Sequence, residues 1–238
     1  MKNPFEYGGV VSGHAFCNRE TEKTDLLKAV RNNEKLFVFS ERRFGKTSLV
    51  LSVIAKLPKN TVSAYIDLWP TDDEPSFVTA LAKAVTSSMT TSVEKLLTTA
   101  KDLFSSLVPT VTLNDEGKPE LSFGFGKNVK IDRALEEVLE TPARIANKQK
   151  KNVVVVFDEF QQILQYQTDL AERKLRSVIQ KHREVAYIFL GSLRHLIQKM
   201  FMEKSRPLYR AGGHYPLGPI SEEHWTPLFG TISEVPTA

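Results

Sequence analysis

The chain has 238 residues, and its 32 Lys and Arg residues against 28 Asp and Glu residues give a net charge of +4. With 41% hydrophobic and 25% charged residues, the composition is typical of a globular protein and excludes a disordered or fibrous chain. There is no apolar run of about 18 residues, no apolar stretch of the secretory-signal type at the N-terminus, and one cysteine, Cys17, so we expect a cytoplasmic protein without a membrane span, a disulfide or a Cys/His metal cage.

The first part of the chain alternates between strand and helix patterns. The apolar run 36–39 predicts a buried strand, and the periodicity over 46–57 predicts a helix that Pro58 ends. A second strand is predicted at 62–68. Apolar residues then recur at helical spacing from 77 to 104, which predicts one long helix or two helices in tandem.

A hairpin and the clearest strand pattern occupy the middle of the chain. Weak alternation around the turn signal 114–117 predicts a hairpin at about 108–126, inserted between helices. A helix is predicted over 132–149, with an irregularity near Pro142. Residues 153–157, four valines and a phenylalanine, predict a strand that is covered on both faces, as in a parallel sheet.

The last part of the chain continues the alternation. A helix is predicted at 170–182, a strand at 185–190 and another helix at 193–204. The segment 211–219 is a weaker strand prediction because of its Gly and Pro content. This order of elements predicts a three-layer α/β fold with a mostly parallel sheet.

A phosphate-binding pattern follows the first predicted strand. Residues 40–47 read Ser-Glu-Arg-Arg-Phe-Gly-Lys-Thr, which is the P-loop pattern with Ser40 in place of the first glycine. In such a loop, successive backbone N–H groups and a helix N-terminus surround the phosphate oxygens, and Gly45 lets the backbone come close. We expect Lys46 to reach the β- and γ-phosphates and the Thr47 hydroxyl to ligate Mg²⁺.

Most residues of this loop are candidates for nucleotide binding. They are Ser40, Arg42, Arg43, Phe44, Gly45, Lys46, Thr47 and Ser48. Ser40 adds a Cβ that restricts the backbone but removes no phosphate contact. We expect Arg42 and Arg43 to face solvent or a neighbouring subunit rather than to act in catalysis. The alternative interpretation of the segment is an ordinary strand, turn and helix with a cationic surface loop.

Acidic and polar residues end two further predicted strands. Asp158 and Glu159 close the four-valine strand. We expect Asp158 to hold the nucleotide-bound Mg²⁺ through water or through another of its ligands, and Glu159 to activate water as general base. Ser192 follows the next strand as a candidate γ-phosphate sensor, so the predicted catalytic set is Glu159, Lys46 and Ser192. The alternatives are a carboxylate pair favoured by a helix N-terminus and, for Ser192, a helix N-cap.

Several motifs resemble one known family. They are Asn3-Pro4-Phe5, Phe16-Cys17-Asn18-Arg19-Glu20, Arg42-Arg43-Phe44-Gly45-Lys46-Thr47-Ser48, Phe157-Asp158-Glu159-Phe160-Gln161, Leu175-Arg176-Ser177, Phe189-Leu190-Gly191-Ser192 and Pro207-Leu208-Tyr209. The chain resembles, over roughly residues 3–228, the archaeal-type P-loop ATPases of the AAA+/STAND group, which also occur in bacteria.

The resemblance implies a specific architecture. It implies an ASCE/AAA+-like fold with five parallel strands, in which the P-loop strand lies between the last strand and the sensor strand, and the Asp-Glu strand lies beyond the sensor strand. It also implies that Phe16, Arg19 and Glu20 lie near the adenine, with Phe16 and Arg19 as candidate base contacts. Without the resemblance, Arg19 and Glu20 are interpreted as a solvated charge pair at the start of a helix.

The chain departs from the family at its C-terminal end. Too few residues follow Ser192 for both the helical lid and the winged-helix domain of the family. We therefore expect a natural short form or an excised core, with an ATPase core over 1–220 and a truncated lid or tail over 221–238. Arg206 and Arg210 are candidate sensor or trans-acting arginines, although plain surface arginines are the favoured interpretation.

Three functions are compatible with these patterns. The first is Mg²⁺-dependent ATP binding and hydrolysis as a molecular switch, which cycles between ATP and ADP and acts on a protein partner or by self-association. The second is an ATP-regulated DNA-binding factor of the initiator or transposition-ATPase type, with positive charge from Arg42, Arg43, Lys127, Lys130 and the run 148–151. The third is a scaffold that holds nucleotide without hydrolysing it, against which Glu159 argues.

Overall fold

The computed structural model describes residues 19–114, 117–192 and 194–220. Its strands are β1 (Lys35–Phe39), β2 (Thr61–Asp67), β3 (Leu107–Leu113), β4 (Pro119–Phe125), β5 (Asn152–Asp158), β6 (Val185–Gly191) and β7 (Gly213–Pro216). Its helices are α1 (Glu20–Arg31), α2 (Lys46–Ala55), α3 (Glu74–Met89), α4 (Val93–Leu103), α5 (Ile131–Gln149), α6 (Leu170–Ile179) and α7 (Arg194–Met202), with a 3₁₀ helix at Phe160–Gln165.

The main sheet has five strands in the order β2-β5-β6-β1-β7, and every neighbouring pair is parallel. Strand β1 therefore lies between β6 and β7, and β5 lies beyond β6. This is the order that the family resemblance implies, and it confirms the predicted five-stranded α/β fold. Because all five strands run the same way, the segments that follow them emerge at one edge of the sheet.

The sheet is buried on both faces, as the four-valine pattern predicted. Val153 and Val155 pack into a cluster with apolar residues of α3, α5 and α6, whereas Val154 and Val156 pack into a second cluster with residues of α1 and α2. None of the four valines is more than 2% exposed. The side chains of β5 thus alternate between two dry layers, which is the three-layer arrangement of helices on both faces of a sheet.

The apolar periodicity over 77–104 belongs to two helices rather than one. The backbone at Thr90, directly after α3, is extended, so the helical pattern is interrupted there. Helix α3 itself begins at a capping box: the Asp73 carboxylate accepts from the Ser76 N–H at 2.8 Å, and the Ser76 hydroxyl oxygen accepts from the Asp73 N–H at 3.1 Å.

Two helix predictions need correction. Helix α5 runs through Pro142 without interruption, although an irregularity was predicted there. Pro142 lies on the buried face of this helix, and tertiary packing outweighs the hydrogen bond that a proline cannot make. The helix predicted to extend to His182 ends at Ile179 because the chain turns there toward β6.

Strands β3 and β4 form a separate antiparallel hairpin between α4 and α5, with Leu107 opposite Phe125 and Leu113 opposite Pro119. Leu121 of β4 is buried, and the ring of Phe123 on the same strand meets Phe104 edge-on at 5.7 Å. The hairpin is therefore anchored to the helical layer through one of its faces. Among the helices that the structure describes, none combines the length and the hydropathy of a membrane span.

A buried ion pair ties α6 to the segment that follows α7. Glu172 is 3% exposed and accepts a hydrogen bond from the Arg206 guanidinium. Burial raises the pKa of the Glu172 carboxyl, and the charge of Arg206 works in the opposite direction. The interpretation of Arg206 as a plain surface arginine is therefore wrong, because its guanidinium pairs with a buried carboxylate.

The loop from β1 to α2 ends at Gly45, whose φ of +76° lies in the left-handed region. A Cβ added at Gly45 meets no atom within 4 Å, so the only cost of a side chain there is the backbone conformation. The glycine is therefore required by the turn into α2 rather than by crowding within the protein.

Replacing Arg206 by methionine should destabilise the protein because Glu172 then loses its cation while it remains buried. We expect Arg206→Met to lower the free energy of unfolding by about 3–5 kcal/mol, measured by urea denaturation. The control is Arg173→Met, which removes an ion pair to Asp169 whose two side chains are 60% and 51% exposed. That variant should lose no more than about 1 kcal/mol. Equal losses in the two variants would show that Glu172 does not depend on Arg206.

Replacing Gly45 by alanine should strain the turn into α2. We expect Gly45→Ala to lower the free energy of unfolding by about 1–2 kcal/mol, measured by thermal and chemical denaturation. Gly124→Ala is the matched control, since a Cβ at Gly124 also meets open space but its φ lies outside the left-handed region. A loss of the same size in both variants would contradict the assignment of the cost to φ.

Candidate functional site

Side chains from three separate parts of the chain meet at the carboxyl edge of the main sheet. Lys46 and Thr47 open α2 directly after the loop that follows β1. Asp158 is the last residue of β5, with Glu159 beyond it, and Ser192 follows β6. Since β1, β6 and β5 are consecutive neighbours in the sheet, the ends of these three strands lie side by side. The structure thus brings together the predicted catalytic and metal-binding residues.

Lys46 is a buried cation that points back into its own loop. Lys46 is only 6% exposed, and its Nζ donates to the Ser40 hydroxyl and to the Glu41 carbonyl, each at 3.1 Å. Burial lowers the pKa of the Lys46 ammonium, and the negative charges of Glu159 and Asp158 partly offset this effect. The lysine therefore sits at the centre of the site, with two carboxylates as its electrostatic partners.

Ser40 contributes a contact that a glycine at this position could not make. Its hydroxyl is the acceptor for Lys46 and donates to the Glu41 carbonyl at 2.8 Å. Its backbone lies outside the left-handed region, which in this loop is occupied by Arg43 and Gly45. The side chain of Ser40 is thus compatible with the loop conformation and adds a polar partner for the lysine.

The Asp158 carboxylate accepts hydrogen bonds on both oxygens. Its Oδ2 accepts from the Thr47 hydroxyl at 2.6 Å and from the Tyr65 phenol at 2.7 Å, and its Oδ1 accepts from the Glu159 N–H at 2.8 Å. A hydroxyl that donates to a carboxylate keeps its own lone pairs available for a cation. Thr47 and Asp158 are therefore hard oxygen donors side by side, which is the ligand chemistry that Mg²⁺ requires.

The Glu159 carboxylate is held by two donors on one oxygen. Oε2 accepts from the Ser192 hydroxyl at 2.8 Å and from the Gln161 side-chain amide. The backbone of Glu159 has a φ of +48°, a conformation that costs energy in a residue other than glycine and that concentrates at functional sites. The buried Oε1 of Gln161 has no hydrogen-bond partner in the described part of the chain. Ser192 and Gln161 thus orient the carboxylate that the sequence assigned to water activation.

Tyr65, Gln161 and the Glu41 carbonyl are contacts of this site that sequence reasoning missed. Tyr65 was part of an ordinary strand prediction, and only the pairing of β2 with β5 brings it to Asp158. Gln161 lies two residues after Glu159 and was noted within a family motif without a role. The position of Gln161, two residues after Glu159, was a usable signal for a contact with the site. The sequence around Tyr65 contains no such signal.

Arg19 connects the phosphate loop to the segment that follows β7. Arg19 is 4% exposed, and its guanidinium donates to Glu22 at 2.8 Å, to the Phe44 carbonyl at 3.1 Å and to the Gly218 carbonyl at 2.8 Å. The interpretation of Arg19 and Glu20 as a solvated charge pair is therefore wrong. Glu20 pairs with Lys23 instead, at 2.6 Å. The proximity of Arg19 to adenine stays a prediction.

The other predicted nucleotide contacts differ in their surroundings. Arg42 and Arg43 are exposed, as expected for residues that face solvent. Ser48 is buried in the first turn of α2. Phe16 lies outside the described residues. Lys46, Thr47 and Asp158 therefore carry the fit to a magnesium nucleotide, since they combine a buried cation for phosphate with oxygen ligands for the metal.

Sequence comparisons place the chain among ATP-binding proteins. The model of a family described as an ATPase domain predominantly from Archaea matches residues 16–226. An uncharacterised ATP-binding protein of Pyrococcus abyssi is 30% identical over 159 residues, which cover 62% of this chain and 43% of that protein. This chain therefore spans less than half the length of that relative.

Structural comparisons support the same fold. A Walker-type ATPase of Pyrococcus abyssi matches 98% of this chain and 64% of its own, with 18% identity and a TM-score of 0.63. The ORC2 protein of Aeropyrum pernix, solved as ADPNP–ADP complexes, matches 97% of this chain and 55% of its own, with 10% identity and a TM-score of 0.59. At these identities the likeness concerns the fold alone. The chain therefore belongs to the family of ATPase domains predominantly from Archaea, and its fold is that of the P-loop ATPases.

Proposed function

We propose that the protein binds ATP with Mg²⁺ and hydrolyses it, and that it acts as a nucleotide-controlled switch. The observation that carries this proposal is the meeting of buried Lys46, the Thr47–Asp158 pair and Glu159 at one edge of the sheet. A structural ion-pair cluster needs neither a phosphate loop in front of the lysine nor a second carboxylate held by its own donors. The arrangement is therefore better explained by phosphoryl transfer to water than by stability alone.

Each side chain has a distinct part in the proposed reaction. Lys46 compensates the charge of the β- and γ-phosphates once it turns from Ser40 and Glu41 to the nucleotide. Thr47 and Asp158 hold Mg²⁺, which when bound withdraws charge from the phosphate oxygens. Water attacks the γ-phosphorus, the bond to the leaving ADP oxygen breaks, and Glu159 accepts the proton from the water.

Ser192 supports this reaction by orienting the base. Its hydroxyl donates to Glu159 Oε2 at 2.8 Å, so a change at the γ-phosphate that displaces Ser192 also removes one of the two donors that hold Glu159. This coupling agrees with the role of Ser192 as a sensor of the γ-phosphate. It also gives the proposed switch a physical basis, because one hydrogen bond connects the proposed sensor of the terminal phosphate to the proposed base.

The proposal also covers the ATPase group, the cellular location and the partner of the protein. We assign the protein to the AAA+/STAND group and to the cytoplasm, and we expect a protein partner or self-association to use the switch. The sheet order and the acidic pair at the end of β5 support the group assignment. The partner is left open, since this chain matches 43% of the length of the Pyrococcus abyssi relative and 64% of the length of the Walker-type ATPase.

DNA binding is the second candidate function. One structural neighbour is the ORC1 protein of Aeropyrum pernix in complex with DNA, which is 12% identical, with a TM-score of 0.54. In this chain, however, the basic run 148–151 precedes β5 at the amino edge of the sheet, whereas Arg42 and Arg43 follow β1 at the opposite edge. The two basic groups do not share one surface, which favours the ATPase switch. Affinity for duplex DNA that falls steeply with rising salt would favour the second candidate instead.

Removing the proposed general base should separate binding from turnover. We expect Glu159→Gln to bind ATP with wild-type affinity and to lose about 10²–10⁴-fold in steady-state hydrolysis, measured by phosphate release and by equilibrium binding. Lys46→Ala should lose nucleotide binding itself, because it removes the buried cation of the site.

The matched control for this experiment is Glu94→Gln, the same chemical change at an exposed position of α4. It should hydrolyse ATP at the wild-type rate. If Glu159→Gln turns over ATP as fast as the wild type does, the assignment of the base is wrong. If neither the wild type nor any variant hydrolyses ATP but nucleotide binding depends on Lys46, the protein binds nucleotide and requires a further component for turnover.

A further inference from the structure

Tyr65 lies on the strand next to Asp158 and faces the same side of the sheet. In the parallel pairing of β2 with β5, Tyr65 is opposite Val156 and Asp67 is opposite Asp158. Alternate residues of a strand point to the same face, so Val156 and Asp158 share a face, and Tyr65 packs against the cluster that contains Val156. A diagonal neighbour two residues along is within reach of an aromatic side chain, and the phenol reaches Asp158 in this way.

The phenol and the carboxylate are matched in their hydrogen-bonding chemistry. The Tyr65 hydroxyl donates to Asp158 Oδ2 at 2.7 Å. An ionised carboxylate can only accept, so the phenol has to be the donor. Burial and the negative charge of Asp158 raise the pKa of Tyr65, so the phenol keeps its proton at neutral pH. Nothing in the proposed reaction uses this hydroxyl as an acid or a base.

The second donor to the same oxygen has another task. Thr47 also donates to Oδ2, at 2.6 Å, but it belongs to the proposed set of metal ligands. Its rotamer must therefore suit the metal ion as well as Asp158. Tyr65 extends from β2, on the other side of β5 from the phosphate loop, and its ring packs against the sheet. Its hydroxyl lies beside that of Thr47 as well, but it reaches the carboxylate from a strand outside the phosphate loop.

We propose that Tyr65 is a positioning residue that holds the Asp158 carboxylate in the orientation in which it binds the nucleotide's magnesium ion. The inference rests on the proposed function, because it needs Asp158 to act toward that metal. Groups that orient metal-binding carboxylates in this way commonly change metal affinity by about tenfold or more when they are removed. In this proposal Tyr65 acts on the metal through Asp158, and the nucleotide itself does not require it.

The test is the dependence of nucleotide affinity on MgCl₂ in Tyr65→Phe, which keeps the ring and removes the hydroxyl. A fluorescent ADP analogue is titrated at increasing MgCl₂ concentrations and, separately, in EDTA. We expect the half-saturating MgCl₂ concentration to rise about tenfold, while affinity in EDTA stays within about twofold of the wild type. Thermal unfolding without nucleotide should be unchanged, since the packing of the ring is retained.

Two further variants sharpen the test. Tyr215→Phe removes a phenol that donates to a different carboxylate, that of Asp25 at 2.9 Å, and should leave the MgCl₂ dependence unchanged. Asp158→Asn removes the group through which Tyr65 is proposed to act. In the Asp158→Asn background, Tyr65→Phe should therefore have no additional effect on the MgCl₂ dependence.

Three outcomes would overturn the inference. An unchanged MgCl₂ midpoint in Tyr65→Phe would show that the carboxylate is oriented without the phenol. An equal loss of affinity in MgCl₂ and in EDTA would show a packing role instead. If the wild type binds no nucleotide, or binds it without any effect of MgCl₂, the proposed function fails together with the inference. The wild-type titration thus distinguishes the two failures.

Discussion

The central strand β5 has to be covered by apolar layers on both of its faces, and the candidate site follows from this constraint. A charged side chain within the strand would lie in one of two dry clusters, where the loss of solvation costs several kcal/mol or more. Asp158, at the end of the strand, is the first position where a carboxylate can meet polar partners. The acidic residues are therefore placed at the edge of the sheet by the same burial that stabilises the fold.

Charge at this edge is balanced across neighbouring strands. The ammonium of Lys46 is buried, and burial alone disfavours its charged form. The carboxylates of Asp158 and Glu159 counteract that effect, and each of them is held by hydroxyl or amide donors of its own. The site thus keeps the Lys46 ammonium and the two carboxylates close together where solvent has only partial access. Such an arrangement can respond strongly to a multiply charged ligand, because opposite charges are not screened by water there.

Two tethers keep the phosphate loop in register with the rest of the molecule. Arg19 binds the Phe44 carbonyl within the loop and the Gly218 carbonyl beyond β7, so the start of α1 and the far edge of the sheet are both tied to the loop. Within the loop itself, Ser40 holds the Lys46 side chain. The two Arg19 contacts join a side chain to the backbone of segments far away in sequence, whereas the contact between Ser40 and Lys46 is local. They give the loop a defined shape even though its tip, at Arg42 and Arg43, is exposed.

The sequence by itself determined the strands and helices of the core, the order of β1 and α2 around the phosphate loop, and the acidic end of β5. These features depend on local patterns: apolar runs, glycine at a left-handed turn, and polar residues directly after buried strands. The tertiary structure alone decided the contacts of Tyr65, Arg19 and Arg206, because each joins segments far apart in sequence through the packing of strands and helices. The continuity of α5 through Pro142 was decided in the same way. Burial of the apolar face of this helix outweighs the local tendency of proline to interrupt a helix, and the local tendency is all that the sequence shows.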